Sequence, residues 1–95
     1  MSIANLFKNA EVDSVVYKGL TYYDAENIVE DICKSTNPKK FVLKIKDKIS
    51  IKKKYYLTPY TAIEIINNAK SKNAIKFASK IKKIELEKEE KNILK

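Results

Sequence analysis

Apolar residues occur in short periodic segments whose spacing switches between two and about 3.6 within only 95 residues. That switching constrains the fold more than any other feature. A chain of this length closes around one core, so strands and helices must share it, and the expected class is α+β. Hydrophobic residues make up 44% of the chain and are spread through it. That is too many for a disordered polymer, and no apolar run is long enough to span a membrane.

Residues 12–17 and 20–23 are rich in β-branched and aromatic side chains and flank Lys18-Gly19, which holds the only glycine. This predicts two short strands and a turn. Asp24 is placed to cap a helix over 25–34, where Ala25, Ile28, Val29, Ile32 and Cys33 recur at helical spacing. Asn37-Pro38 joins a capping side chain to a proline suited to the first helical turn. It opens a second, short helix with Phe41, Val42 and Ile45 on one side and Lys40 and Lys44 on the other. The segment from Lys48 to Lys52 alternates with period two, and Tyr55-Tyr56-Leu57 resumes the pattern, predicting a second hairpin. Its tip lacks glycine and asparagine, so a longer or irregular loop is expected there.

Thr58-Pro59 repeats the cap-plus-proline signal ahead of a third helix carrying Ala62, Ile65, Ile66 and Ala69. Ser71 caps a last helix with Ala74, Phe77, Ala78, Ile81 and Ile84 inward and Lys72, Lys76, Lys80 and Lys83 along the far side. Beyond Ile84 the chain is helix-forming but has few apolar residues to bury, so it is expected to project, fray, pair with another chain, or lead into a longer protein. The expected architecture is a small single domain with two short β-hairpins, about four helices and a long charged C-terminal helix. Residues 1–84 form the domain and 85–95 the charged helical tail.

Charge is unevenly placed. All 20 basic residues are lysine, and the net charge is +8. Residues 1–33 carry two lysines and six acids, whereas residues 34–54 carry nine lysines and only Asp47. A second basic stretch, 70–83, has six lysines and no acid, and the stretch between the two carries only Glu64. Localised lysine attracts polyanions through counterion release. The lack of arginine excludes bidentate arginine readout of guanine. Abundant lysine, isoleucine and asparagine with one glycine points to an AT-rich genome, and codon bias with solubility is the bland account of the same composition.

Catalysis is not expected. The chain has no histidine and no phosphate-cradling glycine loop, and its single cysteine, Cys33, lies on an apolar stripe. Such a thiol reads as buried structure, not as a nucleophile. Glu26 and Glu30, one turn apart, read as solvated carboxylates, so no catalytic residue, metal ligand, cofactor or small-molecule substrate is assigned. The N-terminus shows no secretory pattern, and a lone cysteine permits no internal disulfide, so an intracellular, reducing location is expected.

The run Tyr22-Tyr23-Asp24-Ala25-Glu26-Asn27-Ile28-Val29, followed by Lys34-Ser35-Thr36-Asn37-Pro38-Lys39-Lys40, resembles the opening of the Bro-N domain. Tyr56-Leu57-Thr58 leading into a helix, then Ser71-Lys72-Asn73-Ala74-Ile75-Lys76-Phe77, looks like its second half. The resemblance covers about residues 12–84. It implies a DNA-binding protein, related to the KilA-N type domains of large DNA viruses and phages, acting in an infected host cell in transcription or replication. The family's glycines after the first helix and at the start of the third are absent, as is its tryptophan after the last phenylalanine.

On this reading Asn37, Lys39, Lys40 and Lys44 of the second helix, with Lys52, Lys53 and Lys54 of the hairpin, clamp the phosphate backbone of duplex DNA. Asn37, Ser50 or Tyr55 would supply any base contact. Lys72, Lys76 and Lys80 form a second phosphate track or a merely solubilising ridge. The first competing reading is an interaction or oligomerisation module, in which copies dock acidic N-terminal third to basic middle as homo-oligomers. The second is an RNA-binding protein, which requires Tyr22, Tyr23, Tyr55 and Tyr56 to be exposed as stacking platforms.

Overall fold

The computed structural model describes the backbone of residues 2–93 and the side chains of residues 2–85. The order of elements is α1 (Ile3–Asn9), β1 (Ser14–Tyr17), β2 (Leu20–Asp24), a π-helix (Asn27–Ile32), α2 (Pro38–Lys44), β3 (Ile49–Ile51), β4 (Lys54–Leu57), α3 (Pro59–Asn68) and α4 (Lys72–Ile93). The α+β class is as expected, with one helical segment more than the sequence reading supplied.

That extra segment is α1. The Ser2 hydroxyl accepts from the Asn5 amide at 3.1 Å, a helix cap. The helix buries Leu6 and Phe7. Phe7 is fully inaccessible, with its ring centroid 4.5 Å from that of Tyr23 and 5.6 Å from that of Phe77. Its sequence signal is Ile3, Leu6, Phe7 and Ala10 at helical spacing behind a capping serine.

The two hairpins form one antiparallel sheet in the order β1-β2-β4-β3. The pairs Tyr23↔Leu57 and Asp24↔Tyr56 join them. Because side chains alternate across a strand, Tyr23, Leu57 and Tyr55 share the face turned to the core, and Tyr56, Asp24 and Ile49 share the other.

The segment predicted as an α-helix over 25–34 is instead a π-helix through most of its length. The Cys33 amide donates to the Ile28 carbonyl, five residues back, at 3.0 Å. Apolar residues at 25, 28, 29, 32 and 33 fit a 3.6-residue turn or a wider one, and two turns do not separate the two. Side-chain bonds anchor its start. The Asn27 amide donates to Asp24 Oδ1 at 3.1 Å, and Asn27 Oδ1 accepts from the Asp13 amide at 3.0 Å. Lys34 closes the segment at φ 55°, a left-handed position where glycine is favoured.

The π-helix meets β2, α2, α3 and α4. Asn73, at the start of α4, donates from Nδ2 to the carbonyls of Asp31 (3.2 Å) and Ile32 (2.9 Å), satisfying acceptors that a helix end leaves open. Asn73→Ala removes both bonds and is expected to cost about 1–2 kcal/mol. Urea denaturation checks this as a lower midpoint at an unchanged m value.

The second hairpin corrects the expected long tip. Ile51 pairs with Lys54, leaving a two-residue turn of Lys52 and Lys53, both at positive φ (50° and 68°). Cross-strand pairing on both sides of the tip holds the tight turn despite its residues. α4 runs unbroken across the boundary expected at Ile84 and continues to Ile93. The projection or pairing expected of the tail side chains lies outside the described side chains.

Candidate nucleic-acid interface

The first basic element, α2, is built by its cap. Asn37 Oδ1 accepts from the Lys40 amide at 3.4 Å, the Ser35 hydroxyl accepts from the Asn37 amide at 3.3 Å, and Pro38 occupies the first turn. Asn37 therefore uses one lone pair of its side-chain oxygen on the helix. An adenine contact would use the second lone pair of that oxygen together with the amide nitrogen. Val42 is buried, Ile45 is half-buried, and Lys39, Lys40 and Lys44 are exposed.

Successive helix residues advance about 100°, which places Leu43, 63% exposed, between Lys39 and Lys40 on the outward face. The sequence reading missed this exposed leucine. Its signal is that helical spacing, which sets it among the lysines and away from Val42.

One lysine of the basic stretch serves the fold. Lys48 Nζ donates to the carbonyls of Leu43 and Ile45, closing the C-terminal end of α2, and lies 5.3 Å from the centroid of the Tyr55 ring. This links α2 to the β3–β4 ribbon. Lys52, Lys53 and Lys54 stand exposed at the ribbon's tip, Ser50 is exposed, and Tyr55 is half-buried against the core.

Lys72, Lys76 and Lys80 lie exposed along α4, whose start is capped by Ser71 accepting from the Ala74 amide at 3.2 Å. α4 packs on α1, α3 and the π-helix, while α2 packs on the π-helix. The sequence-predicted lysines thus divide into one set on α2 and the following ribbon and another on α4. Among the described residues, the ammonium groups that hydrogen-bond to protein belong to Lys48.

The four tyrosines do not make a common stacking platform. Tyr23 and Tyr56 are buried, and Tyr22 and Tyr55 are half-buried. The strongly exposed tyrosine is Tyr60, at 84%. Glu26 and Glu30 are exposed, and among the described residues no group of three or more His, Cys, Asp or Glu side chains is disposed to hold a metal ion. Among the described residues no helix is long and apolar enough to cross a membrane.

A groove of about 750 Å³ between α2 and α3 was not read from the sequence. Cys33, Phe41, Ile45 and Ile65 line it, with Lys44 and Lys70 also among its lining residues. Burial raises the Cys33 thiol to about 11 from its ordinary 9.0, so the reactive thiolate is scarce at neutral pH. Iodoacetamide at pH 8 is expected to alkylate folded protein at least tenfold more slowly than urea-unfolded protein. Equal rates would contradict the partly buried thiol. The unfolded chain loses this proton at lower pH, so the stabilising contribution is full below about 9 and is lost as pH rises through about 11.

Comparison with protein-family models, with curated proteins and with solved structures returns no match.

Proposed function

We propose that this protein is a binding module for duplex DNA, not an enzyme, and that it grips the phosphate backbone with the lysines of α2 and the β3–β4 ribbon. The observation that carries the reading is that Lys39, Lys40, Lys44, Lys52, Lys53 and Lys54 are all exposed on two consecutive elements, in a stretch whose only acid is Asp47. Such cations position a duplex without reading its sequence. Lys72, Lys76 and Lys80 on α4 would extend the contact to a second length of backbone. The resemblance to Bro-N domains supports the same reading and suggests a viral protein acting in transcription or replication in the infected cell.

The test is fluorescence anisotropy with AT-rich duplex DNA and matched single-stranded RNA over a salt series. With six phosphates engaged, log K is expected to fall against log salt with a slope of about −5 for the duplex. Tighter binding to the single strand would favour the RNA reading, and no binding near physiological salt would end the nucleic-acid proposal. Phe41, exposed at the α2–α3 groove, and Leu43, exposed on the lysine face of α2, favour a protein-interaction or homo-oligomeric module as the second reading.

A further inference from the structure

The two hairpins turn in the same way with different residues. At the β1–β2 tip Lys18 and Gly19 have φ of 51° and 78°, and at the β3–β4 tip Lys52 and Lys53 have φ of 50° and 68°. Both are two-residue turns with consecutive left-handed residues, a geometry for which asparagine followed by glycine is preferred. Side chains with a Cβ are disfavoured in it. At Gly19 an added Cβ would meet nothing within 4 Å, so glycine answers the backbone conformation there and not a lack of space. The second tip meets the same demand with two lysines. Both are exposed, and among the described residues neither ammonium hydrogen-bonds to protein, in contrast to that of Lys48.

Strain that the surroundings hold without local return is a mark of function. Consecutive residues in a helical conformation of either hand project about 100° apart, and their Cα atoms are about 3.8 Å apart. The two ammoniums therefore leave the tip in different directions on flexible four-carbon stems. That spread suits the two phosphate walls of a minor groove about 6 Å wide. We propose that Lys52 and Lys53 straddle the minor groove of duplex DNA, one ammonium on the phosphates of each strand. This rests on the duplex-DNA reading and deepens it by assigning the ribbon tip to a groove. A-tracts, whose minor groove is narrow and strongly negative, should be the preferred duplexes.

The experiment replaces the tip with the residues its backbone prefers, Lys52→Asn with Lys53→Gly, in the full chain. Relief of strain is expected to raise the melting temperature by about 4 °C or more. Loss of two phosphate contacts is expected to reduce the salt slope by about 1.8 and to weaken binding to an A-tract duplex about tenfold. Netropsin filling the minor groove should weaken wild type to about the affinity of the variant and have little further effect on the variant. If the variant keeps the wild-type slope and affinity while charge reversal on α2 abolishes binding, the tip proposal is overturned and the duplex reading stands. If wild type itself does not bind duplex DNA, the broader reading falls and the tip assignment falls with it.

Discussion

Phe7→Ala is expected to lower the free energy of unfolding by about 3–5 kcal/mol, the cost of deleting a large buried aromatic whose surroundings relax only in part. Phe7 is fully inaccessible and lies between Tyr23 of β2 and Phe77 of α4. One substitution therefore opens a void that sheet and helix both line. A domain of this size has a total stability of roughly 5–14 kcal/mol, so the variant should be largely unfolded near body temperature or melt far below wild type. Thermal unfolding followed by circular dichroism measures it. A loss below about 1 kcal/mol would show that α1 rests on the surface and is not part of the core. Removal of residues 2–10 should be at least as damaging, because Leu6 is lost as well.

Charge reversal at Lys39, Lys40 and Lys44 to glutamate is expected to weaken duplex binding by on the order of 10³-fold or more near physiological salt. Each phosphate contact contributes about 0.9 to the salt slope, so three lost contacts should flatten it by about 2.7. Three new carboxylates facing the backbone then add repulsion that the slope alone does not count. All three side chains are exposed, and none donates a side-chain hydrogen bond to the protein among the described residues. Stability should accordingly stay within the range usual for surface substitutions, about 0.5 kcal/mol per site. A folded variant that binds as tightly as wild type would remove α2 from the interface and leave the ribbon and α4 as the remaining basic elements.

Local chemistry made several elements legible in advance. Asn37-Pro38 and Thr58-Pro59 start helices where they were expected to, because a side-chain acceptor and a pre-set φ act within one turn and need no distant partner. The inward residues of α4 were equally readable, with Ala74, Phe77, Ile81 and Ile84 all buried, since a stripe at helical spacing has one way to face a core. Among the candidate site residues, the exposure of the lysines on α2 and α4 was legible from their place opposite the apolar stripes, and that of the ribbon lysines from their place at a hairpin tip. The cap at Asn37 was legible in the Asn37-Pro38 pair, and the role of Lys48 was not. Asn37 is drawn into a cap and Lys48 onto two carbonyls at the end of α2. A lysine that finishes a helix looks, in sequence, like one that faces solvent.

The α+β class, the positions of most helices, the first hairpin with its glycine, and the concentration of positive charge in residues 34–54 can all be read along the chain. These follow from periodicity, caps and charge, which act between near neighbours. Tertiary structure alone decided that the hairpins share one sheet through Tyr23↔Leu57 and Asp24↔Tyr56, residues more than thirty positions apart. It also decided that α1 enters the core through Phe7, that the segment after β2 winds as a π-helix, and that Lys52 and Lys53 accept a left-handed turn. For the shared sheet, α1 and the π-helix the favourable energy comes from burial or pairing contributed by distant parts of the chain, and for Lys52 and Lys53 from the ladder of the adjoining strands. That energy is large enough to override the local preference of the residues concerned.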